Sequence, residues 1–182
     1  MRKEILRAEL LRSITELSSD EIQSLSFSLT NQIIKFLKLY SELTGQIGAG
    51  YLPLRAEIAP VYQVLLQAVP LNLSFPILKN QQMAFAIPDG MPRGGVWLES
   101  PYHEVVPEWL MVPGVGFDLS GARLGRGKGY YDRFLEQSGA LRIGIAWSEQ
   151  IKEKIPVESH DCHMDFIITE NFCWDVKQQM KF

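Results

Sequence analysis

Apolar side chains at Leu6, Leu10, Ile14 and Leu17 recur every three or four residues, which places them on one face of a helix over residues 3–17. Glu4, Arg7, Glu9 and Arg12 occupy the intervening positions. Ser18 and Glu21 then stand at the spacing of a capping box, where each side chain accepts the other's backbone N–H. A second helix follows, its apolar face carrying Ile22, Leu25, Leu29, Ile33, Phe36 and Tyr40. Two helices therefore precede the first predicted strand.

From residue 48 the pattern shortens. Residues 48–53 read as a strand and its exit turn, and an apolar helix is predicted from Ile58, with Pro60 tolerated near its first turn. Residues 71–75 and 83–87 read as extended, and Pro88-Asp89-Gly90 and Pro92-Arg93-Gly94-Gly95 enforce loops after them. Apolar runs at 109–112, 141–147 and 166–169 have the length of buried strands. Between the first two, a helix is predicted to begin after Gly129 and run through Glu136. The alternation of strand, loop, helix and strand predicts an open α/β sheet. No repeat or long linker divides the chain, so one domain is expected over residues 1–182.

Composition narrows the function classes. With 46% apolar residues in 182, there is enough material for one substantial core. The formal charge of -3, from 18 Lys and Arg against 21 Asp and Glu, provides no long-range field for a polyanion, so no nucleic-acid partner is expected. The apolar runs fall short of the roughly 20 residues a membrane helix needs, and no secretion signal is apparent. A cytoplasmic protein without a membrane partner is the expectation. Cys162 and Cys173 form no zinc quartet and are expected as reduced thiols, and His103, His160 and His163 make no convincing metal set.

Residues 113–133 read PGVGFDLSGARLGRGKGYYDR, with glycines at 114, 116, 121, 125, 127 and 129. Missing side chains let backbone amides approach an anion, and the following helix presents more unpaired amides. Arg126 adds a rigid fork of donors and Lys128 a flexible charge able to follow a transferring phosphate. The run is not a phosphate-binding Walker loop, because the upstream Gly is misplaced and no Ser or Thr follows Lys128. A complete dinucleotide fingerprint is missing too. Turn formation with solvated basic residues explains the same pattern, so spacing alone leaves anion binding open.

The decapeptide from Arg123 to Asp132, RLGRGKGYYD, resembles the signature of the 5-formyltetrahydrofolate cyclo-ligases, also called methenyltetrahydrofolate synthetases. The resemblance extends to Pro113, Phe117, Asp118 and Gly121 before it, and to Gln150, Pro156, His160, Asp161 and Asp165 after it. Lys3 and Arg7 fit the family's N-terminal nucleotide-binding pair, and residues 51–57 resemble its folate-binding segment. Between Met83 and Glu99 the chain is shorter than the family pattern, and the family's Glu-Pro pair is written Glu99-Ser100-Pro101.

The resemblance implies a three-layer α/β/α open sheet with an N-terminal helical pair. It also implies ATP-dependent closure of 5-formyltetrahydrofolate to 5,10-methenyltetrahydrofolate, with Mg²⁺ and ATP, by a monomer in preference to a homodimer. Arg126 and Lys128 take the catalytic roles. Nucleotide contacts fall to Lys3, Arg7, Gly125, Arg126, Gly127, Lys128, Gly129, Tyr130 and Tyr131. Folate contacts fall to Leu52, Glu57, Met83, Trp109 and Tyr130, and magnesium to Asp132 and Asp161. On pattern alone, Lys3 and Arg7 form a solvated basic face, Asp132 caps a helix, Asp161 ends a turn, and Met83 and Trp109 fill the core. The alternative is a non-catalytic nucleotide or folate binding protein of the same fold.

Overall fold

The computed structural model describes residues 3–54, 57–90, 102–158 and 161–182. The expected loop at 92–95, the Glu99-Ser100-Pro101 run and His160 lie outside these residues.

In chain order the elements are α1 (Lys3–Thr15), α2 (Ser19–Leu39), β1 (Ile47–Ala49), α3 (Tyr62–Ala68), β2 (Asn72–Lys79), β3 (Gln82–Pro88), β4 (Tyr102–Val105) and β5 (Trp109–Pro113). There follow β6 (Gly116–Asp118), β7 (Arg123–Leu124), α4 (Tyr130–Glu136), β8 (Leu141–Ile145), β9 (Ile151–Lys152), β10 (Phe166–Ile168), β11 (Cys173–Asp175) and β12 (Met180–Lys181). Among the described residues, nine strands form one mixed sheet in the order β12, β11, β10, β8, β5, β1, β2, β3, β4. Its centre, β10, β8, β5, β1 and β2, is parallel. Antiparallel hairpins extend both flanks.

Successive side chains on a strand point to opposite faces, and the central strands use both. Met111, Ile143, Ile145 and Ile168 pack with Leu29, Ile33 and Phe36 of α2 and Leu65 of α3. Their neighbours Leu110, Val112 and Ile167 pack on the other side with Leu135 of α4. This is the expected three-layer α/β/α arrangement, and it explains why the central strands read as continuous apolar runs.

The predicted capping box is formed: Ser18 Oγ accepts the Glu21 N–H, and the Glu21 carboxylate accepts the Ser18 N–H at 2.8 Å. The two N-terminal helices serve different layers. Helix α2 covers the main sheet, whereas Leu6 and Leu10 of α1 pack with Val115, Ala122, Leu124 and Ile155 against a second sheet of β7, β6 and β9. Strands of two or three residues carry no periodicity, which is why the sequence did not reveal this small sheet.

The helix expected from Ile58 begins only at Tyr62. Pro60 biases the residue before it toward extended backbone, and α2 supplies side-chain acceptors for that segment. The Ala59 N–H reaches Ser26 Oγ at 3.3 Å and the Val61 N–H reaches Thr30 Oγ1 at 2.8 Å. No described helix is long and apolar enough to cross a membrane.

Candidate active site

Strand β1 lies between β2 and β5, so the chain order reverses there. In open α/β sheets the crevice at the carboxyl ends of strands beside such a reversal is the usual place for a ligand. Here a cleft of about 210 Å³ opens at that point, lined by Tyr51, Leu52, Leu54 and Glu57 from the segment after β1, by Pro113, Gly114 and the run from Gly125 to Asp132, and by Arg123 and Pro76.

The segment leaving β1 is pinned. Tyr62 Oη accepts the Tyr51 N–H at 2.9 Å and donates to the Tyr51 carbonyl at 2.6 Å, while the Tyr51 hydroxyl donates to the Ile58 carbonyl at 2.8 Å. Burial pushes the Tyr51 and Tyr62 phenols far up, so both remain neutral. This clamp fixes Leu52 in the cleft wall. Glu57 closes the segment by accepting the Leu54 N–H through Oε2 at 2.8 Å. Its Oε1 meets Arg126 across the cleft, at 2.7 Å from Nε and 2.6 Å from Nη2.

The glycine segment begins as the β6–β7 hairpin, framed by two buried polar side chains. Asp118 Oδ1 accepts the Ser120 and Ala122 N–H groups, and Oδ2 accepts the Ile155 N–H at 2.7 Å. Gln150 Nε2 donates to the carbonyls of Gly114 and Val115, both at 3.0 Å. Beyond β7 the chain takes left-handed backbone at Gly127 (φ 91°) and Gly129 (φ 66°), which a side chain would strain. Arg126 and Lys128 flank Gly127 and line the cleft, and Tyr130 then opens α4.

Helix α1 brings its basic face onto this loop. Arg7 Nε donates to the Gly125 carbonyl at 2.8 Å, and its guanidinium borders Gly127. Lys3, one turn earlier, pairs with Asp161 at 2.5 Å and with Glu158 at 3.4 Å. Lys128 lines the cleft; its carbonyl accepts from Arg133 Nη1 at 3.2 Å, and its ammonium makes no hydrogen bond or ion pair among the described residues. Arg133 lies over the Tyr130 ring at 5.2 Å, and Arg123 lies over that of Tyr131 at 5.6 Å. Burial raises the Tyr131 phenol, with the Arg123 cation partly offsetting it.

The expected site residues thus separate into groups. Leu52, Glu57, Gly125, Arg126, Gly127, Lys128, Gly129, Tyr130, Tyr131 and Asp132 share the cleft, and Arg7 abuts its loop. Met83 and Trp109 do not line it. Trp109 is 0% exposed, lies against Gly48 and donates its indole N–H to the Leu43 carbonyl at 3.0 Å. Met83 is buried in the α4-side core. In this structure both side chains are packed in the core and neither is among the cleft-lining residues expected to meet folate. Arg123, Asp118 and Gln150 had no assigned role from sequence; a buried polar residue supporting a loop has no periodic signature.

Asp161 accepts from Lys3 and from the Glu158 N–H at 2.7 Å and is not among the cleft-lining residues. Asp132 lines the cleft, with Oδ1 on Arg123. Among the described residues no cluster of three or more His, Cys, Asp or Glu could enclose a metal. Magnesium bound with phosphate needs only one or two carboxylates and keeps waters for the rest. Asp132, beside the glycine loop, fits that mode.

The profile of the 5-formyltetrahydrofolate cyclo-ligase family matches residues 1–170. Among curated proteins, the mouse 5-formyltetrahydrofolate cyclo-ligase is 41% identical over 68 residues, which span 34% of this chain and 34% of that protein. The Mycolicibacterium smegmatis enzyme of the same name is 27% identical over 146 residues, spanning 70% of this chain and 75% of that one. Among solved structures, a 5,10-methenyltetrahydrofolate synthetase from Mycoplasma pneumoniae superposes with a TM-score of 0.77 at 25% identity, covering 93% of this chain and 99% of that chain. The Aquifex aeolicus 5,10-methenyltetrahydrofolate synthetase gives a TM-score of 0.77 at 28% identity, covering 97% and 94%.

Proposed function

Because this chain belongs to the 5-formyltetrahydrofolate cyclo-ligase family, we propose that it uses ATP to convert 5-formyltetrahydrofolate into 5,10-methenyltetrahydrofolate, releasing ADP and phosphate. The observation that carries this reading is the cleft itself: Tyr51, Leu52, Leu54 and Glu57 line it together with the glycine loop, and Glu57 meets Arg126. A folate on one wall and a triphosphate on the other would meet in the middle.

The formyl oxygen on N5 is a poor leaving group because the nitrogen lone pair delocalises into the carbonyl. It attacks the γ-phosphorus, the bond to the β–γ bridging oxygen breaks, and ADP departs. N10 then adds to the activated carbon and loses its proton. Expulsion of phosphate, which carries away the former formyl oxygen, leaves the conjugated methenyl bridge.

Glu57 accepts hydrogen bonds from the reduced pterin, with Leu52 and Tyr130 bounding the ring. Arg126 holds the transferring phosphate, and Lys128 supplies charge as negative density spreads over the phosphoryl oxygens. Backbone amides around Gly127 and Gly129 complete the cradle. Arg7 and Lys3 attend the nucleotide from α1, with Lys3 first giving up part of its bond to Asp161. Asp132 would hold magnesium, which when bound neutralises charge on the phosphates. Asp161 would serve it as a second carboxylate once Lys3 turns to the nucleotide. The reading carries with it a cytoplasmic monomer.

Purified protein with 5-formyltetrahydrofolate and MgATP should develop methenyl absorbance in step with ADP. Methenyl product without nucleotide hydrolysis would defeat the coupling. Binding of both substrates without turnover would recast the chain as a binding protein.

A further inference from the structure

Arg123 has no role in the chemistry above, yet it is a cation with its side chain 5% exposed. Burying a charge is costly unless it is paired and its donors are satisfied. Its Nη1 donates to the Pro113 carbonyl at 3.0 Å, and its Nη2 meets Asp132 Oδ1 at 2.5 Å. Among the described residues its Nε has no hydrogen-bond partner. The Pro113 carbonyl at the end of β5 accepts from the guanidinium, which also lies close against Gly125, where an added Cβ would stand 3.1 Å from Nη1, and over the Tyr131 ring at 5.6 Å. Rotating the group would break its bond to the strand end and its bond to Asp132.

We propose that Arg123 is a positioning residue for Asp132. A guanidinium anchored to the sheet offers Oδ1 one direction of approach, and so sets the plane of the carboxylate. Asp132 is 25% exposed at its side chain, lines the cleft and, among the described residues, makes no hydrogen bond through Oδ2. Arg123 thereby presents Oδ2 to the cleft as a fixed oxygen donor for a divalent cation. Without it, the carboxylate in the first turn of α4 is free to rotate toward solvent or toward the amides of its own helix. The inference rests on the proposed nucleotide reading and adds to it the residue that orients the metal's carboxylate.

The test is titration of Mn²⁺ in the presence of ADP, read by manganese spin resonance, on the parent and on Arg123→Met and Arg123→Lys, each also made with Asp132→Asn. Outer groups that orient metal ligands typically matter by 10–100-fold, so Arg123→Met should weaken Mn²⁺ binding by about tenfold or more. Arg123→Lys, which keeps the charge and can still reach Oδ1, should recover part of the loss. With Asp132→Asn already present, neither change should weaken binding further, because the carboxylate through which Arg123 acts is gone. Should the methionine variant fail to fold, the lysine pair alone decides, by the same loss of effect. Unchanged Mn²⁺ affinity in both single variants would overturn the proposal. So would a loss of equal size in the Asp132→Asn background, which would mean that Arg123 meets the phosphates directly. A parent that binds no Mn²⁺ with ADP would sink the nucleotide reading and this inference with it, whereas normal parent binding with indifferent variants sinks the inference alone.

Discussion

Glu57 Oε1 accepts from both Nε and Nη2 of Arg126, so a single carboxylate oxygen ties the segment after β1 to the glycine loop 69 residues away. The Arg126 side chain is 37% exposed, and a pair so open to solvent contributes about 1 kcal/mol or less to stability. Its consequence lies in occupancy. Both partners are proposed to meet different substrates, and whichever substrate binds first separates the pair for the second.

Glu57→Gln should therefore affect binding far more than folding. Loss of a hydrogen bond to a charged group is worth about 1.5–3 kcal/mol, so KM for 5-formyltetrahydrofolate should rise roughly tenfold or more. The melting temperature should hardly move. Affinity for a non-hydrolysable ATP analogue without folate should be unchanged or tighter, since Arg126 is released. A weaker analogue affinity with unchanged folate KM would show that Glu57 acts only to position Arg126.

Lys128→Met keeps an extended side chain and removes the ammonium group. An electrostatic donor used in the transition state predicts a fall in kcat of about a hundredfold, with folate binding little changed. Single-turnover phosphate release separates the possibilities. Weaker ATP binding with a normal chemical step at saturation would make Lys128 a ground-state anchor and leave Arg126 as the catalytic cation.

Trp109 is assigned to the core, and Gly48 offers the sharper probe of that assignment. A Cβ at Gly48 would fall 2.1 Å from the Trp109 ring, so Gly48→Ala must displace the indole or the strand. Overpacking of this kind costs about 1–3 kcal/mol or more. Urea denaturation should register the loss, and folate KM in the remaining folded protein should stay near that of the parent. A selective rise in folate KM without loss of stability would return Trp109 to the binding site.

Burial pushes the Cys173 thiol up from 9.0 to about 11, with Lys35 pulling it back slightly. Between those values the unfolded chain has released a proton that the folded one keeps. The unfolded state then binds fewer protons, and stability falls as pH rises. The contribution is complete below pH 9 and is lost from there to about pH 11. Tyr51, Tyr62 and Tyr131, raised by burial, act in the same direction at higher pH. Cys173→Ala should flatten the decline in urea midpoint just above pH 9; identical slopes would contradict the assignment.

Consecutive residues were enough to mark the two helical stripes, the Ser18 capping box, the central strands and the helix after Gly129. Each of these is a local property: side-chain period, turn chemistry and capping depend on neighbours within a few positions. The motif from Arg123 to Asp132 was legible for the same reason, since loop and helix start are contiguous. The delayed start of α3 was not, because side chains of α2 decided it.

What tertiary structure alone decided is which of these residues meet. Lys3 and Asp161 are 158 positions apart and are joined because α1 folds over the small sheet toward the loop that carries Asp161. Glu57 reaches Arg126 because β1 and β5 are neighbours and their carboxyl ends open on the same side. Strand order likewise buried Trp109 against Gly48 and left Tyr130 in the cleft, although composition treats both as aromatic residues suited to either place. Sequence determined the local elements and the chemical groups available, since those follow from short-range sterics and hydrogen bonding. The pairing of distant strands, which no local pattern specifies, chose which groups face one another across the cleft.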